Sequence, residues 1–496
     1  MRSLSLGCGN ALAMWGGTLA IAATIAAGTI AWGEEPAVKT SKPKSTTSGA
    51  ILKALGLTGA AAEAAGAETT THQQTAEIVV RTSDGKGTLQ TFCVGPDGNL
   101  YAVVTAPVVY GAGVELGRKA NGEIHVYSPE GKKLRHWVVD FEPQRIATAA
   151  NGEVYVGGNG KLAKYDAAGK QLAAVESPHL AAVLSDKEKL LRDAEEQRKQ
   201  MIETYTNATK QMEDVRKQLI EQKEQLEKKS AKGKPAGEEK KADKPAAAPS
   251  EDAVEVIPLF GAAGNTPAAL DRQIKQYDQI LKSYQEQVEQ QKKRKVEDIV
   301  QEISGRLQRI HAITVGDKDV YIATAMSKGY GYAVWRMGLD FSAAEQITEG
   351  LSGCCGQMDI QARGNELFVA ENSRHRVLKF DREGKKLAQF GNRERAGADG
   401  GFGGCCNPMN LCFTSAGEVL TAESEGKVRC FSPEGKYVGL CGAAKVSGGC
   451  KNVAVGTSQD GKHIFFYDLQ GSKIIVMTRE LPSAGQKPTT NKVGAR

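Results

Sequence analysis

The stretch from Gly364 to Gly391, GNELFVAENSRHRVLKFDREGKKLAQFG, limits more than any other what this chain can fold into. It holds three apolar, β-prone runs separated by a short polar loop and an Asp-x-x-Gly turn, the pattern of consecutive antiparallel strands. Related units occur six times along the chain. Their anchor is an apolar-aromatic run that follows a turn: GNLYAVV from Gly98, GEVYVGG from Gly152, DVYIATA from Asp319, NELFVAE from Asn365, GEVLTAE from Gly417 and GKHIFFYD from Gly461. A shorter run precedes each anchor, as in TFCVGPD, RIATAAN and MDIQARG. Most anchors are followed by a run that ends in a turn: IHVYSPEGKKL, LAKYDAAGKQL, RVLKFDREGKKL and VRCFSPEGKYV.

The anchor centres Tyr101, Tyr155, Tyr321, Phe368, Leu420 and Phe465 lie about 45–54 residues apart, save for one long gap. Four short strands at that period make a blade, and one blade cannot bury both of its faces alone. The expected fold is therefore all-β, a six-bladed β-propeller with blades one and two in 76–184 and blades three to six in 308–481. The last unit lacks an outer strand, and EIVVRT at Glu77–Thr82 is spare. A closing strand at 76–82 would complete a 3+1 ring and remove its free edges.

The long gap, 185–307, breaks the strand pattern. Leu191, Ala194, Met201, Tyr205, Ala208, Met212, Val215, Leu219 and Leu226 recur at alternating spacings of three and four, the seam of a coiled coil. A Lys/Ala/Pro/Glu-rich linker, 228–258, follows. A second helix carries Leu270, Ile274, Tyr277, Leu281, Tyr284 and Val288, and its phase slips before Val296, Ile299, Ile303 and Leu307. Both ends must return to adjacent blades, so the insertion is expected to be an antiparallel coiled-coil hairpin. Helices of about 38 residues would give an arm of about 55 Å. It would serve as a spacer or as a partner-binding arm.

The segment Glu371–Gly391, ENSRHRVLKFDREGKKLAQFG, resembles the NHL repeat, with its acidic residue, Asn/His-Arg-Val, Phe-Asp and Gly-Lys positions; AESEGKVRCFSPEGKYVGLCG resembles it less closely. The resemblance covers Glu77–Leu184 and Gln308–Leu481 and implies a six-bladed propeller. Related propellers are protein- or RNA-binding platforms, lactonase-like hydrolases and an amidating lyase, so the family implies little about function. The lyase relatives hold zinc through histidines converging on the channel. Here His72, His125, His136, His179, His311, His375 and His463 are scattered, and His311 alone sits just ahead of an inner strand. The lactonase relatives hold a cation through Glu, Asn and Asp at inner-strand ends. Glu371, Asn372 and Glu423 fall instead at the ends of second strands, where they read as solvated loop residues with Asn372 shaping a turn.

Arg2 precedes an uncharged run from Ala11 to Trp32, which Glu34 and Glu35 follow. Ala31-Trp32-Gly33 fits the small-x-small pattern of signal cleavage. The run would also reach about 33 Å as a helix, enough to span a bilayer. Residues 1–33 thus read as a signal peptide or a membrane anchor, 34–75 as a flexible tether and 482–496 as a disordered tail. The chain is expected to be exported, periplasmic or at a cell surface, and to touch a membrane only through its N-terminal segment. The net charge of +6 sits largely in Lys-rich helices and tails, so no nucleic-acid partner is expected.

Export bears on the ten cysteines, because in an oxidising compartment thiols become disulfides or metal ligands. SGCCGQMDI, GGCCNPMNLC and SGGCKNVAV place Cys355, Cys406 and Cys450 at equivalent positions leading into inner strands. Cys354, Cys355, Cys405, Cys406 and Cys450 could then converge beside the channel, with Met358 and Met409 near them. They could form disulfides, a soft-metal site for copper, zinc or an iron–sulfur cluster, or a redox-active vicinal disulfide. Cys93 and Cys412 read as inner-strand packing residues. Cys430 and Cys441 lie on neighbouring strands, but their offset from the Pro433–Gly435 turn does not set them opposite one another. No Cys-x-x-Cys-His, nucleophile elbow or phosphate loop occurs.

The leading expectation is a binding or scaffolding module that meets protein partners through its arm or blade loops. A metal-binding or thiol redox protein is the alternative, and a cation-dependent hydrolase or lyase stands third. No catalytic residue is assigned.

Overall fold

In the computed structural model the described residues are 70–82, 85, 87–105, 121–232, 266–329, 331–354, 356–394, 400–404, 406–446, 452–468 and 471–479. The expected leader or anchor, all of the tether before residue 70, the linker beyond residue 232 and the tail lie outside them.

The first strand, β1 (His72–Val79), is followed by a meander of β2 (Thr88–Val94), β3 (Leu100–Thr105), β4 (Gly122–Tyr127) and β5 (Lys133–Val139). A second sheet holds β6 (Arg145–Thr148), β7 (Val154–Gly158), β8 (Lys161–Tyr165) and β9 (Gln171–Glu176). After a helical insertion come β10 (Ile310–Val315), β11 (Asp319–Ala325), β12 (Tyr332–Gly338) and β13 (Glu345–Leu351). The fourth meander is β14 (Asp359–Arg363), β15 (Glu366–Glu371), β16 (Arg376–Asp381) and β17 (Lys386–Phe390). The fifth is β18 (Asn410–Phe413), β19 (Val419–Ala422), β20 (Lys427–Phe431) and β21 (Tyr437–Ala443). The last three strands, β22 (Val453–Thr457), β23 (His463–Asp468) and β24 (Lys473–Arg479), take β1 as their fourth, in the order β1-β24-β23-β22.

All six sheets are four-stranded and antiparallel. Their innermost strands touch in the cycle β2, β6, β10, β14, β18, β22 and back to β2. The fold is a β-propeller. Second strands such as β3, β7 and β11 are buried along their whole length, because a neighbouring sheet covers each face. That is why their sequences are continuous apolar runs rather than alternating ones.

The strand β1 begins five residues before the expected start of Glu77. It pairs with β24 from His72↔Arg479 to Val79↔Lys473, with a register shift between Gln74 and Ala76. His72 extends it by placing its Nε2 3.0 Å from the Gly461 carbonyl. Ser472 ties the same region together. Its hydroxyl donates to the Val80 carbonyl at 2.7 Å and accepts from the Leu89 amide at 2.9 Å.

Residues 194–299 belong to a compact unit distinct from the sheets. The helices in and beside this region are α1 (Pro178–Leu184), α2 (Lys187–Lys232), α3 (Pro267–Lys293) and α4 (Val296–Leu307). Thr266 caps α3 by accepting from the Ala269 amide, and Pro267 occupies its first turn. α2 and α3 run antiparallel: Arg216 pairs with Asp278 and, further along α2, Lys223 pairs with Asp271. Tyr205 lies 6.0 Å from Tyr284. The phase slip read before Val296 is a true break, since Arg294 is extended (φ −68, ψ 130) between α3 and α4.

Asp/Ser-x-x-Gly turns at Ser128, Asp166, Asp381 and Ser432 join the third and fourth strands of their sheets. At Asp381 the carboxylate accepts from the Glu383 and Lys385 amides at 3.1 and 2.8 Å. The Gly384 amide donates to the Asp381 carbonyl at 3.1 Å. Gly384 has φ +85, a region that disfavours side chains, and its Cα faces the Ile347 carbonyl in β13 of the preceding sheet so closely that a Cβ would collide with it. The turn thus docks one sheet on the next. Gly364 (φ +57) has open space around it. Gly384→Ala should therefore cost about 3 kcal/mol, from the backbone penalty plus displacement of Ile347. Gly364→Ala should cost only about 1 kcal/mol. Urea denaturation of both variants checks the contrast; equal losses would mean that the turn does not clamp the sheets.

Candidate functional site

The inner strands present one unpaired edge to the propeller channel, and polar side chains of neighbouring strands cover that edge. Thr314 in β10 accepts from the Ala362 amide in β14 at 3.0 Å. Asp359 in β14 accepts from the Leu411 amide in β18 at 2.8 Å, and Asn410 in β18 from the Val455 amide in β22 at 2.9 Å. Between β6 and β10, the Gln144 side chain accepts from the Ile310 amide at 2.9 Å, and Arg145 donates to the His311 carbonyl at 2.6 Å. Gln357 reaches furthest. Its amide nitrogen donates to the Met409 and Val453 carbonyls at 2.8 Å each, and its oxygen accepts from the Val453 amide at 3.1 Å.

Thr314, Gln357, Asp359, Asn410 and Arg145 line a cavity of about 370 Å³, together with Thr148, Gln361 and Cys412. Burial dominates its electrostatics. It raises the Asp359 carboxyl to about 7, against the opposing pull of the Leu411 amide and Arg145. It also lowers Arg145 to about 10, helped by the nearby Arg309. His311 lies within β10 rather than ahead of it, and burial together with Arg145 and Arg309 holds it down to about 3. The ring is therefore neutral, and its Nδ1 donates to the Gly356 carbonyl at 3.0 Å. Cys93 lines the same cavity, and burial pushes its thiol up to about 12; the Cys412 thiol is pushed higher still. Both are protonated packing groups at neutral pH.

Of the sulfur cluster expected at this end of the inner strands, Cys354, Cys406 and Met409 share one packed core. Cys406 and Met409 are fully buried. Met358 is also fully buried, but in the neighbouring core with Tyr332, Leu351 and Ile360, so the two thioethers do not converge. Cys355, Cys405 and Cys450 lie outside the described residues. Among the described residues no group of three or more His, Cys, Asp or Glu side chains is arranged to hold a metal ion.

Glu371, Asn372 and Glu423 are not the solvated loop residues expected from their positions. They are 1%, 0% and 2% exposed. Glu371 accepts from the Ser352 amide at 3.0 Å and from Arg376, its cross-strand partner. Glu423 is paired with Arg429, which is itself 1% exposed. Asn372 accepts from the Cys354 amide at 2.8 Å and donates to the Gln357 carbonyl at 3.0 Å and to the Met409 sulfur at 3.4 Å. It thus joins the cysteine-rich segments of two sheets. An Arg five or six residues beyond each glutamate was the sequence signal for this burial.

No family model matches the chain, and no curated protein matches it. Similar solved structures include the WD40 domain of Neurospora crassa Pan2 (6% identity over 84% of this chain and 97% of that one, TM-score 0.37). The Cps50 (Swd1) β-propeller domain of Myceliophteria thermophila is 10% identical over 82% of this chain and 99% of that one, with a TM-score of 0.37. Regucalcin, a calcium-binding protein of Agrobacterium tumefaciens, is 9% identical over 83% and 97%, with a TM-score of 0.38. The six sheets themselves carry the assignment of the fold.

The raised carboxyl of Asp359 sets the sign of a pH effect. Its folded form holds a proton more tightly than the unfolded chain, whose carboxyl titrates near 4. Its contribution to stability is complete below about pH 4 and is lost as pH rises through about 7, by an amount on the order of 4 kcal/mol. Asp359→Asn keeps an acceptor for Leu411 but cannot ionise. Urea denaturation from pH 4 to 8 should show the variant gaining on the native chain as pH rises. A constant difference across that range would refute the assignment.

Proposed function

We propose that this chain is an exported binding and scaffolding module: a six-bladed, NHL-like propeller, closed 3+1 by β1, that presents a coiled-coil hairpin and its blade loops to protein partners. The observation that carries the reading is the helical insertion. α2 is 46 residues long, about 69 Å at 1.5 Å per residue, and α3 accompanies it for 27 residues. Arg216–Asp278, Lys223–Asp271 and the Tyr205–Tyr284 contact fix their register. Long paired helices carrying a largely charged surface suit recognition by another chain better than they suit chemistry. The apolar run Ala11–Trp32 supports export or a membrane tether.

The test is a photo-crosslinking amino acid placed at Lys210, Glu213 or Lys217 of α2, or at the Glu434 turn, in cells expressing the full chain, followed by fractionation. The expected result is one discrete crosslinked protein from the arm positions, recovered from the exported or membrane fraction. Absence of a discrete product from every position would sink the binding reading. Recovery from the cytoplasm alone would sink export.

A second reading draws on Cys354, Cys406 and Met409 sharing one core. Together with Cys355, Cys405 and Cys450 they would hold a soft metal, copper, zinc or an iron–sulfur cluster. Elemental analysis of chain purified without oxygen would then show stoichiometric metal, lost in Cys406→Ser. Metal-free protein rejects this reading. A cation-dependent hydrolase draws less support, because Glu371 and Glu423 are each engaged by arginine.

A further inference from the structure

A second cavity, of about 550 Å³, is lined by residues of β1, β19 to β24 and the Thr414–Glu418 turn, and it meets the channel cavity at Thr414, Ser415 and Thr457. Cys430 and Cys441 both line it, with Glu418, His72 and Arg479. Cys430 faces Gly439 across the β20–β21 ladder, and Cys441 is two residues beyond. Register shifts between Val428 and Arg429 and between Cys430 and Phe431 bend β21 there. The bend sets Cys441 diagonally beside Cys430, on the wall of the same cavity. Gly439 leaves open space opposite Cys430, which gives the two sulfurs room to approach.

The two thiols differ in the way that dithiol exchange requires. Cys430 is buried, 3% exposed, whereas Cys441 is partly exposed to the cavity. The hydrogen bond from Cys430, and then Thr71 and the positive charge of Arg479, lower the Cys441 pKa against burial and Glu418. Cys430 is driven far up by the same hydrogen bond and by burial. The negative charge of Glu418 raises Cys430 further, and Thr414 holds that carboxylate, its hydroxyl donating at 3.3 Å. His72 is kept neutral by burial and places its Nδ1 2.8 Å from the Thr71 hydroxyl. Cys412, on the other side, stays protonated.

We propose that Cys441 and Cys430 form a thiol–disulfide exchange site for small or peptide disulfides that enter this cavity, with Cys441 the nucleophile and Cys430 the resolving thiol. The Cys441 thiolate attacks one sulfur of R–S–S–R. The S–S bond breaks, the first R–S⁻ leaves and takes a proton, and a mixed disulfide remains on Cys441. Cys430 then gives its proton to Glu418 and attacks the Cys441 sulfur, expelling the second R–S⁻, which takes up the proton held on Glu418. The products are a Cys430–Cys441 disulfide and two R–SH, with two electrons passed from the chain to the substrate. This inference does not depend on the binding reading above.

The test uses the reduced full chain and oxidised glutathione. Iodoacetamide should alkylate Cys441 with a pH midpoint below the ordinary thiol value of about 8.5, and at least tenfold faster at pH 7 than Cys430, read by peptide mass spectrometry on the native protein. Glutathione disulfide should convert the pair to a Cys430–Cys441 link. In Cys430→Ser a glutathione adduct should persist on Cys441, and Glu418→Gln should let the same adduct build up by slowing the second step. An ordinary or raised midpoint for Cys441, or no Cys430–Cys441 link in the native chain, overturns the proposal. The first two measurements need no variant, so a variant that misfolds does not protect it.

Discussion

Each sheet of this propeller ends, on the channel side, in a strand with one unpaired edge, and the ring depends on how that edge is satisfied. A buried amide left without a partner costs about 1–3 kcal/mol. The inner strands have several, repeated around the axis. The chain answers them with side chains from other sheets: Thr314 for Ala362, Asp359 for Leu411, Asn410 for Val455 and Gln144 for Ile310 from the adjacent one, and Gln357 for Val453 from two sheets away. Each of these bonds does two things at once. It satisfies a backbone group, and it fixes the position of one sheet relative to another. The channel is polar because the ring needs it to be, before any ligand is considered.

The same requirement shapes the rim. Glu371 and Glu423 close the ends of successive second strands, and each is met by an arginine on the third strand, Arg376 and Arg429. Removing one partner of such a buried pair would leave an uncompensated charge, which is costly by about 3–5 kcal/mol. Carboxylates that resemble cation ligands by their place near strand ends are therefore occupied in joining the second and third strands of their own sheets. Asn372 extends this role by linking Cys354, Gln357 and Met409.

Environment also sorts the cysteines by chemistry. Cys93 and Cys412 face the channel wall, where burial holds them protonated. Cys406 is fully buried with Met409 in a core that Cys430 shares and that Cys412 and Cys441 border. Cys441 differs because a bend in β21 sets it beside a donor thiol and near the guanidinium of Arg479, at the edge of a cavity. One residue type thus serves as packing and as a reactive group in neighbouring places of the same sheet. The helical insertion adds a third layer of organisation, since its paired helices are stabilised by their own ion pairs and ring contact rather than by the channel.

The repeat period, the strand order within each unit and the turns were legible in the sequence because they are local. Apolar runs buried on both faces, Asp-x-x-Gly turns and a seam of alternating three- and four-residue spacings are written within a few residues of one another. The apolar N-terminal run and the cysteine-rich segments were legible as composition. What the sequence could not show is which distant groups meet. The start of β1 at His72 depends on Gly461, and the burial of Glu371 and Glu423 depends on arginines reaching back across the ladder. Met358 and Met409 stand at matching places in their units, yet they pack into different cores. Cys430 and Cys441 were offset by count, and only the register shifts in β20 and β21 set them side by side on one cavity wall. A bulge changes which side chains oppose one another without leaving a mark in the hydrophobic pattern, so that contact was decided by the tertiary structure alone.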